Sequence, residues 1–210
     1  MRLNREQITQ QALALVDELG LDALTTRRIA SNLDVRPSAL YRHFKGKDEL
    51  LSNMAEHILV GEFPVIPDLS SYAWNEWLVE VAMRYRNAML SRRDGGRIIA
   101  RAHPALALTY GKLAESTVRK LVIAGFSIEQ AATICATVFS YVEGMTQKEQ
   151  EELGRTSVEI SLADSGLTAL VQAKQSVRLA KDHVFTEGLK LIISGAEAQR
   201  LRPAGGFESK

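Results

Sequence analysis

One cysteine, Cys135, stands alone among 210 residues, so no disulfide can form within the chain. It sits in the apolar run AATICATVF, where a buried, inert thiol is expected. No uncharged apolar stretch reaches the roughly 18 residues that a membrane span needs. The N-terminus, MRLNREQITQQ, has no apolar stretch beside its basic residues, so no signal peptide is read from it. A reducing cytoplasm is the expected compartment. Excess charge is also lacking, since 26 Lys and Arg against 25 Asp and Glu leave a net +1. Catalytic spacing is missing as well. The four histidines, His43, His57, His103 and His183, are scattered, with no H-E-x-x-H, and no G-x-S-x-G, Walker or dinucleotide pattern occurs. No catalytic residue, metal ligand or cofactor is expected.

What is present is helical periodicity almost throughout, with no alternating run to suggest a strand, which makes the chain all-α. Asn4 can cap a helix whose apolar face is Ile8, Ala12, Leu15, Val16 and Leu19 and which ends at Gly20. Thr25 can cap a short second helix. Pro37 suits the first turn of a third, where its missing N–H is harmless. A fourth, opened by Gly46, carries Asp48 and Glu49 at its positive end. Pro64, Pro67 and Ser70-Ser71 then mark a break. Beyond it an amphipathic helix carries the stripe Trp74, Leu78, Val81, Tyr85 and Ala88, and short and long helices are expected over 97–102 and from Pro104 to about Gly125. Ser127 and Gln130 have capping-box spacing for a helix to about 152. The aperiodic stretch 154–166 reads as a loop, followed by helices over 167–175 and 177–201. The expected organisation is a three-helix domain over 1–46, a linking helix over 47–63, a larger helical domain over 64–203 and a tail over 204–210.

Charge is concentrated even though the total is small. Between Thr25 and Lys47 lie six basic residues (Arg27, Arg28, Arg36, Arg42, Lys45, Lys47) and one acid, Asp34, so this segment carries +5 and the rest −4. Two short helices joined by a tight turn and followed by a basic, aromatic end suit a helix-turn-helix, whose second helix enters the major groove. Arg36, Ser38, Ala39 and Arg42 are then placed to meet base edges, with Val35 and Leu40 facing inward. Arginine can pair bidentately with guanine, serine with several edges, and a small alanine can touch a thymine methyl. Tyr41, His43, Lys45 and Lys47 carry donors for phosphate oxygens, and Thr26 and Arg27 open the preceding helix. The same residue types also suit an ordinary solvated helix face, and composition does not separate the two.

The segment GLDALTTRRIASNLDVRPSALYRHFKGKDELL resembles the TetR family of bacterial regulators, whose pattern is G-x-x-x-L-T-T-R-x-I-A-x-x-L-x-V-x-x-x-x-L-Y-x-H-F-x-x-K-x-x-L-L. The likeness spans residues 4–62, and MLSRRDGGR, AGFSIEQA and GLKLIISG extend it to the family's tetracycline-binding members. The resemblance implies a dimeric repressor that binds palindromic operator DNA and is released by a small-molecule inducer; a transcriptional activator or a ligand-independent DNA-binding regulator of the same fold stays open. It places DNA contacts at Thr26, Arg27, Pro37, Ser38, Ala39, Tyr41, Arg42, His43 and Lys47. Arg36, Pro37, Ser38, Ala39 and Arg42 depart from the tetracycline-binding members, so a different operator is expected.

The resemblance further implies a ligand cavity from Trp74 onward and a homodimer built from the helices near 127–152 and 177–201. Small and apolar residues there (Ala131, Ala132, Ala136, Val138; Phe185, Gly188, Leu189, Ile192, Ile193) suit close helix packing, within one chain or between two. Aligned on MLSRRDGGR, the tetracycline-binding members' metal-ligating histidine becomes Ile99, their polar drug anchors become Phe63 and Val81, and an arginine and a threonine become His103 and Ala102; only the aromatic character of Tyr85 is kept. An aliphatic side chain cannot ligate magnesium. The expected site is a mostly apolar cavity of Phe63, Val81, Ile99 and Met145 with Tyr85, His103, Tyr110 and Ser140 as polar points, suited to a flat or apolar organic molecule. Each apolar member also suits plain core packing.

Overall fold

The computed structural model describes residues 3–66, 72–154 and 181–200, and these are helical, with no strand among them. The loop expected over 154–166, the helix over 167–175 and the tail over 204–210 lie outside the described residues, apart from Gly154.

Local signals set the first helices. In α1 (Arg5–Leu19) the Asn4 side chain accepts from Gln7 N at 2.8 Å and Gln7 Oε1 accepts from Asn4 N at 3.1 Å, a reciprocal capping box. The helix stops at Gly20, whose φ of 85° a side chain would resist. Ile8, Ala12, Leu15 and Val16 are buried as the spacing requires, but Leu19 is 41% exposed because it closes the helix beside the turn. Thr25 Oγ1 accepts from Arg28 N to cap α2 (Thr26–Asn32), and Asp34, at φ 52°, makes the left-handed turn into α3 (Pro37–Leu40). Then α4 (Lys47–Glu62) runs out of this unit with Leu51, Met54, Ala55 and Leu59 buried beneath it.

In the larger part, α5 (Trp74–Leu90), α7 (Leu108–Ile123) and α8 (Ile128–Gly154) pack on one another, with α4 across α5 and α7, and with α9 (Lys181–Arg200) on α8 and α5. Trp77, Leu78, Val81, Tyr85 and Met89 of α5 are each at most 1% exposed and form the middle of the core. The short helix expected over 97–102 is α6 (Gly95–Ile99), two residues earlier, because Asp94 turns the chain at φ 56°. Ser127 Oγ and Gln130 Oε1 cap α8 reciprocally, as their spacing implies. Cys135 is buried, and burial pushes its thiol up to about 11, which leaves it an unreactive core group. No described helix is long and apolar enough to cross a membrane.

Candidate nucleic-acid interface and sensor core

The basic segment is presented outward. Arg27, Arg36, Pro37, Ser38, Tyr41, Arg42, Lys45 and Lys47 are exposed, Thr26, Ala39 and His43 half-buried, while Ile29, Ala30, Leu40 and Phe44 point into the core. The guanidinium groups of Arg27, Arg36 and Arg42 make no hydrogen bond or ion pair with any described residue, so they remain available to an external acceptor. The turn after α3 is held from behind by a residue that periodicity does not single out. Arg5 donates to His43 O at 2.6 Å and Glu49 Oε1 at 2.8 Å and lies over the Phe44 ring at 4.4 Å. Glu49 also accepts from Lys45 N at 2.7 Å, and that bond, with Arg5, holds its carboxyl below the usual range. A cationic residue in α1 and an acid in α4 thus fix the loop carrying Tyr41, His43 and Lys45.

This unit meets the rest of the chain along two seams. At one, the turn before α6 grips the end of α1. Arg92 pairs with Asp17 at 2.5 Å, Arg93 donates to Glu18 O at 2.8 Å, Arg97 pairs with Asp22 at 2.6 Å and Asp94 at 3.1 Å, and Leu21 N donates to Asp94 Oδ2 at 2.7 Å. Gln150 of α8 anchors the same turn, donating to Met89 O at 2.8 Å and Arg92 O at 2.9 Å and accepting from Gly96 N at 3.0 Å. A charged cleft of about 880 Å³ opens beside it, between Leu19, Arg93, Arg97 and Glu151. At the other seam α4 is tethered directly: Ser52 Oγ, fully buried, accepts from His103 N at 3.1 Å, and Glu56 accepts from both Thr109 N and Thr109 Oγ1 at 2.8 Å, capping α7.

The expected ligand residues do not all come together. Phe63, Val81, Tyr85 and Ile99 are at most 2% exposed, and Tyr110 and Met145 are half-buried. His103 is a correction: it is exposed in the α6–α7 connection, where its Nδ1 accepts from Ala105 N at 3.2 Å. Ser140 is another, lying exposed on the outer face of α8 because α8 turns Phe139 and Glu143 inward. The residues that do converge are Tyr85, Tyr110 and Phe139, with ring centroids 5.0 to 6.2 Å apart, and Glu143, whose Oε1 accepts from the Tyr85 hydroxyl at 2.8 Å. Glu143 was not legible beforehand, since α8 carries several acids and only the crossing of α5 on α8 selects this one. Burial pushes its carboxyl up, against the Tyr85 hydrogen bond, and burial likewise raises both tyrosines.

The dimer surface also resolves by face. Ala131, Val138, Phe185 and Leu189 are buried within the protomer, so they are not free to meet a second chain; Ile128, Ala132, Ala136 and Ser140 of α8 and Leu191, Ser194 and Gly195 of α9 are exposed. Gly188 lets the two helices approach, since a Cβ there would meet Tyr141 Oη at 2.1 Å.

Comparison with known proteins identifies the family of the chain. The family described as bacterial regulatory proteins, tetR family, matches residues 8–54, and the tetracyclin repressor-like C-terminal domain matches 66–200. The tetracycline repressor class C of Escherichia coli is 33% identical over 206 residues, covering 95% of this chain and 93% of that one. The Streptomyces coelicolor TetR family protein ActR, solved with actinorhodin, superposes with a TM-score of 0.81 at 27% identity, over 96% of this chain and 100% of ActR. BioQ, solved with its double-stranded DNA operator, gives a TM-score of 0.70 at 28% identity, over 94% of this chain and 99% of BioQ. With both parts matched in order, the chain belongs to the TetR family of bacterial regulatory proteins, a family of DNA-binding transcription regulators and not of enzymes.

Proposed function

We propose that this protein is a cytoplasmic, homodimeric repressor that reads a palindromic operator with residues 26–47 and leaves it when a small organic molecule enters the core between α5, α7 and α8. The observation that carries this reading is the exposed row Arg36, Ser38 and Arg42, free of internal partners, on a unit bolted to a separate helical core. The likeness to BioQ with operator DNA and to ActR with actinorhodin supports it.

Residues 1–46 act as the reading unit, 47–63 as the link and 64–203 as the sensor and dimer domain. The coupling runs through α4. One end carries Lys47; the other delivers Phe63, which lies under the Arg84 guanidinium at 4.8 Å. Between them Ser52 and Glu56 follow the start of α7, so a ligand that shifts α7 against α5 drags α4 with it. Half-sites on one duplex face are about 34 Å apart, and a shift of a few ångströms spoils simultaneous docking. A differential affinity of about 3 kcal/mol between the two states already changes operator binding more than a hundredfold.

Duplexes selected from a random pool by the wild type supply the operator for the test. Arg42→Ala is expected to relax base preference at one position of each half-site, and Lys47→Ala to weaken operator and random DNA alike, with a shallower salt dependence. Equal losses on both kinds of DNA for both variants contradict the assigned roles, and no selected consensus at all contradicts the repressor reading.

Inducer identity has its own test. Ile99, Phe63 and Val81 are buried hydrocarbon where the tetracycline-binding relatives place polar groups, so tetracycline with magnesium is expected neither to release the selected operator nor to raise the melting temperature. Magnesium-dependent release at micromolar drug defeats that expectation.

A further inference from the structure

The aromatic group around Glu143 holds a carboxylate with no cation among the described residues. Resting on the reading of this core as the ligand site, we propose that the ligand carries a protonated amine, seated against Glu143 and the rings of Tyr85, Tyr110 and Phe139. Other inward carboxylates are matched: Glu149 pairs with Arg86 at 2.8 Å, Asp94 with Arg97, and Glu56 caps α7, all among the described residues. Glu143 is half-buried, its Oε1 meets only the Tyr85 hydroxyl, and its second oxygen has no described partner. Among the described residues no lysine, arginine or histidine contributes to its environment, and its own charge acts on the two tyrosines. A carboxylate drawn partly out of water, with no counter-ion among the described residues, carries a cost that a cation brought from outside relieves.

The surroundings suit such a cation. Tyr85 and Tyr110 are stacked with 25° between their planes and centroids 6.2 Å apart, and Phe139 closes the group at 5.0 Å from Tyr85 and 5.8 Å from Tyr110. Ring faces attract an ammonium within about 6 Å, more so out of water. One turn along α8, Thr146 Oγ1 is sealed and is the buried side-chain polar atom without a partner among the described residues. Positions three apart are neighbours on a helix face, so Thr146 offers an oxygen close to Glu143 for an N–H of the same ligand. Burial raises the Glu143 carboxyl, and an arriving ammonium favours its ionised form.

Two planar dyes of opposite demand test this on the full chain without DNA: acridine orange, a cation, and Nile red, neutral. Fluorescence titration is expected to show acridine orange binding the wild type about tenfold or more tightly than Glu143→Gln, with Nile red unchanged within about twofold and displaced by acridine orange. Gln keeps an acceptor for the Tyr85 hydroxyl, so the variant is expected to melt with the wild type; Tyr110→Leu, which removes one ring face and no charge, is expected to cost the cation about threefold or more and serves where Glu143→Gln does not fold. Equal acridine orange affinity in wild type and Glu143→Gln, with Nile red bound and displaced, overturns the amine and leaves the site. Failure of both dyes to bind the wild type overturns the site as well.

Discussion

Gly95→Ala is expected to lower the melting temperature by about 10 °C, with Gly61→Ala raising it slightly, although both changes add one methyl group to a helix. A Cβ on Gly95 meets Met89 O at 2.3 Å and Met89 C at 3.2 Å. These are backbone atoms at the end of α5, and Met89 O is already held by Gln150 Nε2 at 2.8 Å, so the strain cannot be relieved by swinging a side chain aside. Displacing that turn costs about 3 kcal/mol, and in a chain of this size each kcal/mol moves the midpoint by about 2–4 °C. The damage extends beyond stability. Arg92, Arg93, Asp94 and Arg97 hang from the same turn and hold Asp17, Glu18, Leu21 and Asp22, so operator affinity is expected to fall below the melting point too. At Gly61 nothing lies within 4 Å of the new Cβ, and replacing glycine inside a helix contributes about 0.5 kcal/mol. Calorimetry of the two variants decides the matter; a Gly95→Ala midpoint within 2 or 3 °C of wild type refutes the rigid seam.

Ala136→Arg carries the largest expected effect on DNA binding, a loss of about a hundredfold or more on the selected operator. Ala136 is exposed on α8 in line with Ala132 and Ser140, beside the exposed Leu191 and Gly195 of α9, a surface of small and apolar residues that lets a second copy pack closely. An arginine there brings bulk and charge into the contact expected on this face. Each monomer then reads a single half-site and loses the effective concentration that a linked second reader provides. Sedimentation is expected to show a monomer, with the helical circular-dichroism signal kept at low temperature because Ala136 touches no core of its own protomer. A variant that stays dimeric and keeps operator affinity moves the interface away from this face.

The order of helices was legible because the signals are local. Asn4 with Gln7, Thr25 with Arg28, and Ser127 with Gln130 are caps formed within four residues, and the buried positions of α1, α4 and α5 recur at helical spacing. The outward placement of Arg36, Ser38 and Arg42 was legible for the same reason, since Val35 and Leu40 define the inner side of a very short helix. The sensor residues were read less well. The long helix α8 has small or apolar residues on both faces, so its period shows two stripes without saying which one meets α5, and Ser140 was assigned to the inner stripe when it belongs to the outer. Alignment with a tetracycline-binding position points His103 into the pocket, but a histidine two residues before a free N–H in a connection finds a nearer partner there.

Sequence alone therefore determined the helical class, the concentration of basic charge ahead of a longer apolar stretch, and the basic residues turned outward, because caps, periods and charge clusters act over a few positions. Only the tertiary structure decided which distant side chains meet: Asp22 with Arg97 and Asp17 with Arg92 across 75 positions, Glu56 with Thr109 across 53, and Tyr85 with Glu143 across 58. The chain has 25 acids and 26 lysines and arginines, so composition permits hundreds of such pairs. The choice among them is made by how helices cross, which depends on the fit of whole buried faces and on no single residue's type.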